Sequence, residues 1–457
     1  MTYFFETYGC QMNSAESAAM LLVCREKGWV QAADGETADL VLVNTCSVRN
    51  TAETRATGRI AEYAALKKKR PGFALVVCGC MAERSGEKIK ARFPAVDYVM
   101  GTGGRRIFPL ILDAVEKTLR AGGKADGKPG SKPDFPPVNF EGDAAFEFSA
   151  SHMEEGAFRS LVPVMHGCDG FCSYCIVPYV RGREVSRDPG LVAEEIRLVG
   201  RRGVREVTLL GQNVNSYRWE ADGTDFAGLM RTAADAAAEG GVKRLRFLSA
   251  NPANFGAAVI KAMGENPVYC RHLHLCVQHG SDAVLKAMNR GYTRAGYLEL
   301  VRKIRAAMPG ISLSTDILVG FPGETEADVT ELLSLMDEVR FLYAFTYHYN
   351  PMEGTAAYKL PGRIAEDVKR ERLARVIALQ KKHTGEQMRA RIGAVETVLV
   401  EGISRKNADE LVTRTERDET VVVPGPASLT GTFAELTISG LHGNTFTARE
   451  ARPCPGD

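Results

Sequence analysis

The stretch VMHGCDGFCSYCIVPYVRGRE, residues 164–184, places Cys168, Cys172 and Cys175 in one short loop. A structural zinc closes four ligands around one ion, usually as two pairs, and this loop offers three thiols. His166 lies two residues before Cys168 and is read as pointing the other way along a strand. A fourth ligand from elsewhere in the chain stays open. Thiolates suit iron–sulfur clusters equally well. A four-iron cluster held by three thiolates keeps one iron with a vacant position.

Upstream of this loop, residues 121–143 (AGGKADGKPGSKPDFPPVNFEGD) are dominated by Gly, Pro and Lys without an apolar period. Such a segment is expected to be a flexible connector. Before it, TYFFETYG, DLVLVNT and FALVVCG are apolar, β-rich runs separated by helical patterns such as NSAESAAMLLVCREKG, with its Asn/Ser start and Gly stop. Continuous apolar strands alternating with helices predict parallel βαβ units. Cys10, Cys46 and Cys80 each close one run, at separations of 36 and 34 residues. Strands of a parallel sheet point the same way, so three cysteines distant in sequence are expected to converge at its carboxyl edge. Three independent small core residues is the competing reading, because free Cys is commonly buried.

Downstream, LVPVMHG, EVTLLGQ, RLRFLSA, HLHLCVQ, LSTDILVGF and FLYAFTYHY alternate with helical patterns, and polar or Gly residues follow their apolar portions. Six such units predict a partial (β/α)6 barrel working at its C-terminal strand ends. From about residue 363 an amphipathic helix carries eight Lys/Arg against two Glu between 369 and 391. A run of this kind is either a solvated face or a basic grip. Five short alternating strands from 393 to 450 predict a small β-barrel of the kind used on nucleic acids. The expected domains are 1–120, a linker at 121–155, 156–385 and 386–452, in an α/β fold class that ends in the β-barrel.

A net charge of +2 does not announce a nucleic-acid binder and does not exclude one, since local patches decide. The N-terminus MTYFFETYGCQMN lacks the features of a secretory signal, and no apolar run is long enough for a bilayer. A cytoplasmic location without membrane attachment is expected. In a reducing compartment, the 11 cysteines argue for metal ligation, catalysis or packing rather than disulfides.

The x3-x2 cysteine spacing resembles the radical SAM superfamily, in which S-adenosylmethionine chelates the open iron and one electron cleaves its sulfonium. With a second cysteine triad upstream and a barrel downstream, nearly the whole chain resembles the methylthiotransferase family. In that family the N-terminal domain carries an auxiliary four-iron cluster and a TRAM domain binds RNA. ETYGCQMN, NTCSVRNTAE, CGCMAER, GCDGFCSYCIVPYVRGRE, LLGQNVNSY, MNRGYT and GFPGETE look like its MiaB branch. Branches acting on a ribosomal aspartate or on threonylcarbamoyl-adenosine usually depart around NTCSVR and GQNVNSY.

The resemblance implies two [4Fe-4S] clusters, one on Cys168, Cys172 and Cys175 and one on Cys10, Cys46 and Cys80. It implies S-adenosyl-L-methionine, with Tyr174, Gln212, Asn213, Ser249, Gln278 and Asp316 at strand ends as contacts. The implied reaction inserts a methylthio group at C2 of N6-isopentenyladenosine at position 37 of tRNA, using two SAM per turnover. No acid–base residue is nominated, because that C–H bond has no useful acidity. Arg49, Arg181 and Arg183 are candidates to hold the anticodon stem-loop, Arg181 and Arg183 alternatively pairing with a barrel acid. An electron donor such as flavodoxin or ferredoxin and an iron–sulfur or sulfur carrier are implied partners. The alternatives are a methylthiotransferase for N6-threonylcarbamoyladenosine of tRNA and a non-catalytic iron–sulfur RNA-binding protein.

Some positions depart from the branch pattern. Cys276 and His279 stand where Pro and Ser are common, Ala250 belongs to SANP in place of Ser-His-Pro, and Met352 replaces a frequent Arg. Of the remaining cysteines, Cys24 and Cys270 are expected in packing, Cys78 facing away from Cys80, Cys276 near the site and Cys454 in a tail.

Overall fold

The computed structural model describes residues 1–48, 50–121 and 156–454. Beyond Ala121, the expected connector lies outside the described residues. The first elements are β1 (Thr2–Thr7), α1 (Gln11–Glu26), β2 (Val30–Gln31), β3 (Leu40–Thr45), α2 (Asn50–Lys69), β4 (Ala74–Gly79), α3 (Cys80–Arg92), β5 (Tyr98–Met100) and α4 (Phe108–Arg120). Their strands form one parallel sheet in the order β2-β1-β3-β4-β5. β3 and β4 are buried at every position, because helices cover both faces. Alternation divides them. Leu40, Leu42, Val76 and Cys78 enter one core with Met20, Phe108 and Leu112. Val41, Val43, Leu75 and Val77 enter the other with Ile60, Tyr63 and Ile89.

The described residues fall into two units. One takes those up to 121 together with His166–Asp169 and Cys175–Val185, including α5 (Val177–Arg181). The other takes Gly170–Tyr174 with the remaining described residues. β6 (Arg159–Pro163) belongs to this second unit, and the short strands β7 (Met165–His166) and β8 (Val185–Ser186), each divided between the units, bracket the cysteine loop in sequence. Then come α6 (Pro189–Arg201), β9 (Glu206–Leu210), α7 (Phe226–Gly240), β10 (Arg244–Phe247), α8 (Ala257–Glu265), β11 (His272–His274), α9 (Asp282–Ala287), α10 (Arg294–Ala307), β12 (Ser312–Val319), α11 (Glu326–Val339) and β13 (Tyr343–His348). Strands β6-β9-β10 and β11-β12-β13 are parallel triplets, joined by isolated bridges Leu245–Tyr269 and Ala250–Leu275. The six expected strands are thus present among the described residues. Capping side chains start the helices that follow: Asp225 accepts from Gly228 N–H ahead of α7, and Thr325 and Asp328 form a reciprocal box on α11.

A long helix, α12 (Glu366–Arg389), leads into β14 (Val395–Ile403), β15 (Glu410–Thr415), β16 (Thr420–Pro424), β17 (Phe433–His442) and β18 (Thr445–Pro453). These close into a barrel in the order β14-β15-β16-β18-β17, around Val398, Val400, Leu411, Val421, Leu436 and Phe446. The barrel docks at the N-terminal ends of β6, β9 and β10. Arg159 reaches Glu206, Glu401 and Asp418 at 2.9, 3.2 and 3.1 Å. Arg246 bonds Glu206 and the carbonyls of Thr415 and Glu416, and Arg244 bonds those of Thr397 and Arg414. Burial works to raise the Glu206 carboxyl, but Arg246, Arg159 and Arg244 overcome it and hold it near about 2. Its contribution to docking is therefore in place above the ordinary carboxylate range and is lost as pH falls toward about 2.

Half of the basic residues expected along α12 are not available as an RNA grip. Lys369 pairs with Glu366, Arg372 with the buried Glu324, Arg375 with Glu326, and Arg391 with Glu396 and Glu419. Arg370, Lys381, Lys382 and Arg389 remain exposed.

Candidate active site

Cys10, Cys46 and Cys80 follow β1, β3 and β4, which are neighbours in the sheet. Adjacent strands lie about 4.8 Å apart, so their C-terminal ends bring the three thiols into one neighbourhood. Cys10 is exposed while Cys46 and Cys80 are buried, which leaves the set open on one side. Gly9 (φ +117) makes the close approach possible, since a Cβ there would lie 2.5 Å from Cys46 Cβ. Gly79 (φ +91) turns the chain directly into α3, whose first residue is Cys80.

Cys10 caps α1, so that helix begins earlier than the expected Asn/Ser start and Asn13 lies inside it. The Asn13 amide donates to the carbonyls of Tyr8 and Thr45, stitching the ends of β1 and β3. Two helix N-termini thus face the thiols, and their positive ends stabilise thiolate. Val48 N–H donates to Cys46 Sγ at 3.3 Å. Burial pushes the Cys80 thiol up to about 12, Arg181 opposes this, and Glu16, Cys10 and Cys46 add to it. Strand alternation would put Cys78 and Cys80 on the same face. They separate because the strand has ended: Cys78 packs with Tyr3, Cys24 and Phe108, whereas Cys80 opens the helix.

Arg181 is the principal correction among the expected RNA contacts. It is buried, its Nη1 lies 2.6 Å from Glu16 Oε1, and its Nη2 donates to Asn13 Oδ1 at 2.8 Å. The partner is therefore an acid of α1, not of the barrel. Val180, beside it, accepts a hydrogen bond from Thr102 at 2.6 Å. The segment after Cys175 is in this way fastened to the unit that carries Cys10, Cys46 and Cys80. Arg183 is exposed, with its Nε 2.9 Å from Asp169 Oδ1. Arg49 lies outside the described residues.

Along the loop itself, Cys168 N–H donates to Gly182 O and Val177 N–H donates to Cys175 Sγ at 3.4 Å. In the second unit, Arg290 Nη1 donates to Cys172 Sγ at 3.3 Å and its Nη2 to Cys276 O at 2.9 Å. Arg290 stands in MNRGYT, yet the motif alone does not reveal that its side chain is buried against the sulfur of Cys172. Tyr174 packs against the cluster of Val284, Met288, Phe321 and Tyr349. Ser249 (φ 63) and Gln278 (φ 64) hold left-handed backbone just beyond β10 and β11, and Phe171 (φ 41) and Asn289 (φ 58) do the same beside the loop. Such strain persists where surrounding structure over-determines it, which functional sites do. The Asn213 amide donates to Ser216 Oγ at 2.6 Å, and Gln212 Oε1 is buried without a hydrogen-bond partner. Asp316 is corrected in position: it sits in the middle of β12, not at a strand end.

Three family profiles match the chain: the "Uncharacterized protein family UPF0004" at 2–101, the radical SAM superfamily at 162–336 and the TRAM domain at 389–449. Curated relatives named tRNA-2-methylthio-N(6)-dimethylallyladenosine synthase cover it almost end to end. That of Treponema denticola is 47% identical across 98% of this chain and 99% of its own length. That of Geobacter sulfurreducens is 41% identical across 97% and 96%. The chain belongs to this radical SAM methylthiotransferase family.

Solved structures similar to this methylthiotransferase are remote in sequence and speak to the fold alone. A radical S-adenosylmethionine methyltransferase, TsrM, from Kitasatospora setae is 16% identical with a TM-score of 0.54, over 76% of this chain and 72% of that one. The cobalamin-dependent S-adenosylmethionine radical enzyme OxsB is 13% identical with a TM-score of 0.52, over 84% and 56%. Family membership brings SAM and a [4Fe-4S] cluster, and the residues fit such a group. The donors are thiolates, with N–H groups of Arg290 and Val177 aimed at two sulfurs. Among the described residues, neither cysteine triad brings all three of its sulfurs within 4.8 Å of one another. No helix among the described residues is long and apolar enough to cross a membrane.

Proposed function

We propose that the chain is a tRNA-2-methylthio-N6-dimethylallyladenosine synthase, replacing hydrogen by a methylthio group at C2 of N6-isopentenyladenosine 37. The observation that carries this reading is the meeting of Cys10, Cys46 and Cys80 at three neighbouring strand ends, in a chain that also carries the Cys168–Cys172–Cys175 loop. Each triad would hold one [4Fe-4S] cluster. Bound there, the clusters and SAM supply the one-electron chemistry that an unactivated aromatic C–H needs and the sulfur that replaces the hydrogen.

The chain's own residues hold and orient. Val48 N–H, Val177 N–H and Arg290 disperse thiolate charge on Cys46, Cys175 and Cys172. Tyr174, Gln212, Asn213, Ser249, Gln278 and Asp316 would bind the adenine, ribose and amino-acid parts of SAM. Arg183 would meet phosphate, and Tyr179, 54% exposed one turn after Cys175, offers a ring on which an unstacked base can lie. Extruding that base costs about a few kcal/mol. The C-terminal barrel, 386–452, would add sequence-independent grip, with 1–120 and 156–385 as the two cluster domains. A flavodoxin- or ferredoxin-type donor and a sulfur carrier would complete the cycle in the cytoplasm.

The test is nucleoside mass spectrometry on tRNA from a strain lacking the gene, with and without a plasmid copy. Unmethylthiolated isopentenyl-adenosine should accumulate and disappear on complementation. Accumulation of threonylcarbamoyl-adenosine lacking its methylthio group would replace the substrate assignment. Failure of the reconstituted protein to form 5′-deoxyadenosine from SAM and dithionite would leave a non-catalytic RNA binder.

A further inference from the structure

Outside both cysteine triads, though Arg290 links Cys276 O to Cys172 Sγ, His274, Cys276 and Asp316 bring an imidazole nitrogen, a thiol sulfur and a carboxylate oxygen within 4.8 Å of one another. The parallel ladder sets His274 opposite Ser314, and alternation turns Cys276 and Asp316 to that same face. His274 and Cys276 are buried, and Asp316 keeps 29% of its side chain exposed. His274 Nε2 lies 3.4 Å from Asp316 Oδ2, and Cys276 Sγ lies 3.4 Å from the same oxygen. For hydrogen bonding, the nitrogen–oxygen separation is long, since N–H···O bonds cluster near about 2.9–3.0 Å. As edges of a tetrahedron around zinc, both fit: metal distances of about 2.0 Å to N and O and 2.3 Å to S put N···O near about 3.3 Å and S···O near about 3.5 Å.

The surroundings prepare the histidine for this role. Ser314 Oγ lies 2.9 Å from His274 Nδ1 and 2.9 Å from His272 Nε2. A hydroxyl donates once, so Ser314 donates to one of the two rings and accepts from the other. With Nδ1 bonded to that hydroxyl, Nε2 is the ring nitrogen turned to Asp316, and an outer-shell partner on the other nitrogen is the arrangement that ligating histidines use. One thiolate and one carboxylate neutralise a divalent ion, so the filled site carries no net charge into a buried setting. We propose that His274, Cys276 and Asp316 form a binding site for a divalent metal of the zinc class. Its fourth position is left for water or another oxygen or nitrogen donor.

The full-length protein with its clusters loaded, given one equivalent of zinc and then desalted, should retain about one zinc per chain beyond its iron. Zinc absorption fine structure should show one sulfur at about 2.3 Å among nitrogen or oxygen neighbours at about 2.0 Å. Cys276→Ala and, separately, Asp316→Asn should each lower retention at least tenfold while iron content and the melting profile stay unchanged. Retention below a tenth of an equivalent by the unaltered protein would overturn the site. So would equal retention by the Cys276→Ala protein, zinc uptake accompanied by iron loss, or a sulfur shell of two or more. None of these readouts depends on methylthiolation.

Discussion

One cysteine triad is spread over 71 residues of chain from Cys10 to Cys80, the other over eight from Cys168 to Cys175. The first exists only because β1, β3 and β4 are neighbours in register, so it is a product of tertiary structure. The second is fixed by local spacing, and its supporting contacts come from residues nearby in sequence, such as Val177 and Gly182, or from one distant arginine, Arg290. A set built by topology should respond to damage anywhere in the sheet. A set built by a loop should respond to damage in the loop and at its few anchors.

The sharpest way to break the contrast is to remove each triad whole. Changing Cys10, Cys46 and Cys80 together to Ala should halve the iron from about eight to about four per chain and abolish methylthio transfer while SAM cleavage survives. Changing Cys168, Cys172 and Cys175 should abolish both reactions. Iron analysis and 5′-deoxyadenosine formation separate the two outcomes. Next in size is the buried pair that joins the end of the loop to α1. Arg181→Ala removes the guanidinium beside the buried Glu16, and should cost about 3–5 kcal/mol in denaturant unfolding. Joining Arg181→Met to Glu16→Leu should recover most of that loss, because both charges then leave together.

Smaller is Gly9→Ala, where a left-handed φ and a 2.5 Å approach to Cys46 Cβ combine. It should destabilise by about 1–3 kcal/mol and reduce upstream iron while the loop keeps its own. Equal loss from both sets would remove the distinction between them. Smallest is Arg183→Ala: a few-fold weaker tRNA binding, a salt slope lower by about 1, and iron untouched.

Much of this was legible in the chain. Six barrel strands and five strands of the terminal barrel fall where alternation and turn residues place them, and the 36- and 34-residue separations foretell the convergence at the sheet edge. The missing parts are pairings between distant polar residues. Nothing near Arg181 names Glu16, 165 positions away, as its partner. A basic helix reads the same whether Arg372 meets water or Glu324. Glu206 opens a buried strand, and only the structure shows three arginines gathered on it. Asn13 lies in the quoted motif, but its role depends on two carbonyls from different strands.

The junction at Glu206 sets a ruler for the substrate. The terminal barrel is seated at the starting ends of the parallel strands, whereas Ser249 and Gln278 lie past their finishing ends. Along β10 they are five residues apart, Arg244 to Ser249, or about 17 Å at roughly 3.3 Å each. An RNA that touched both the terminal barrel and the strand ends would have to span at least that distance, farther than a lone base reaches.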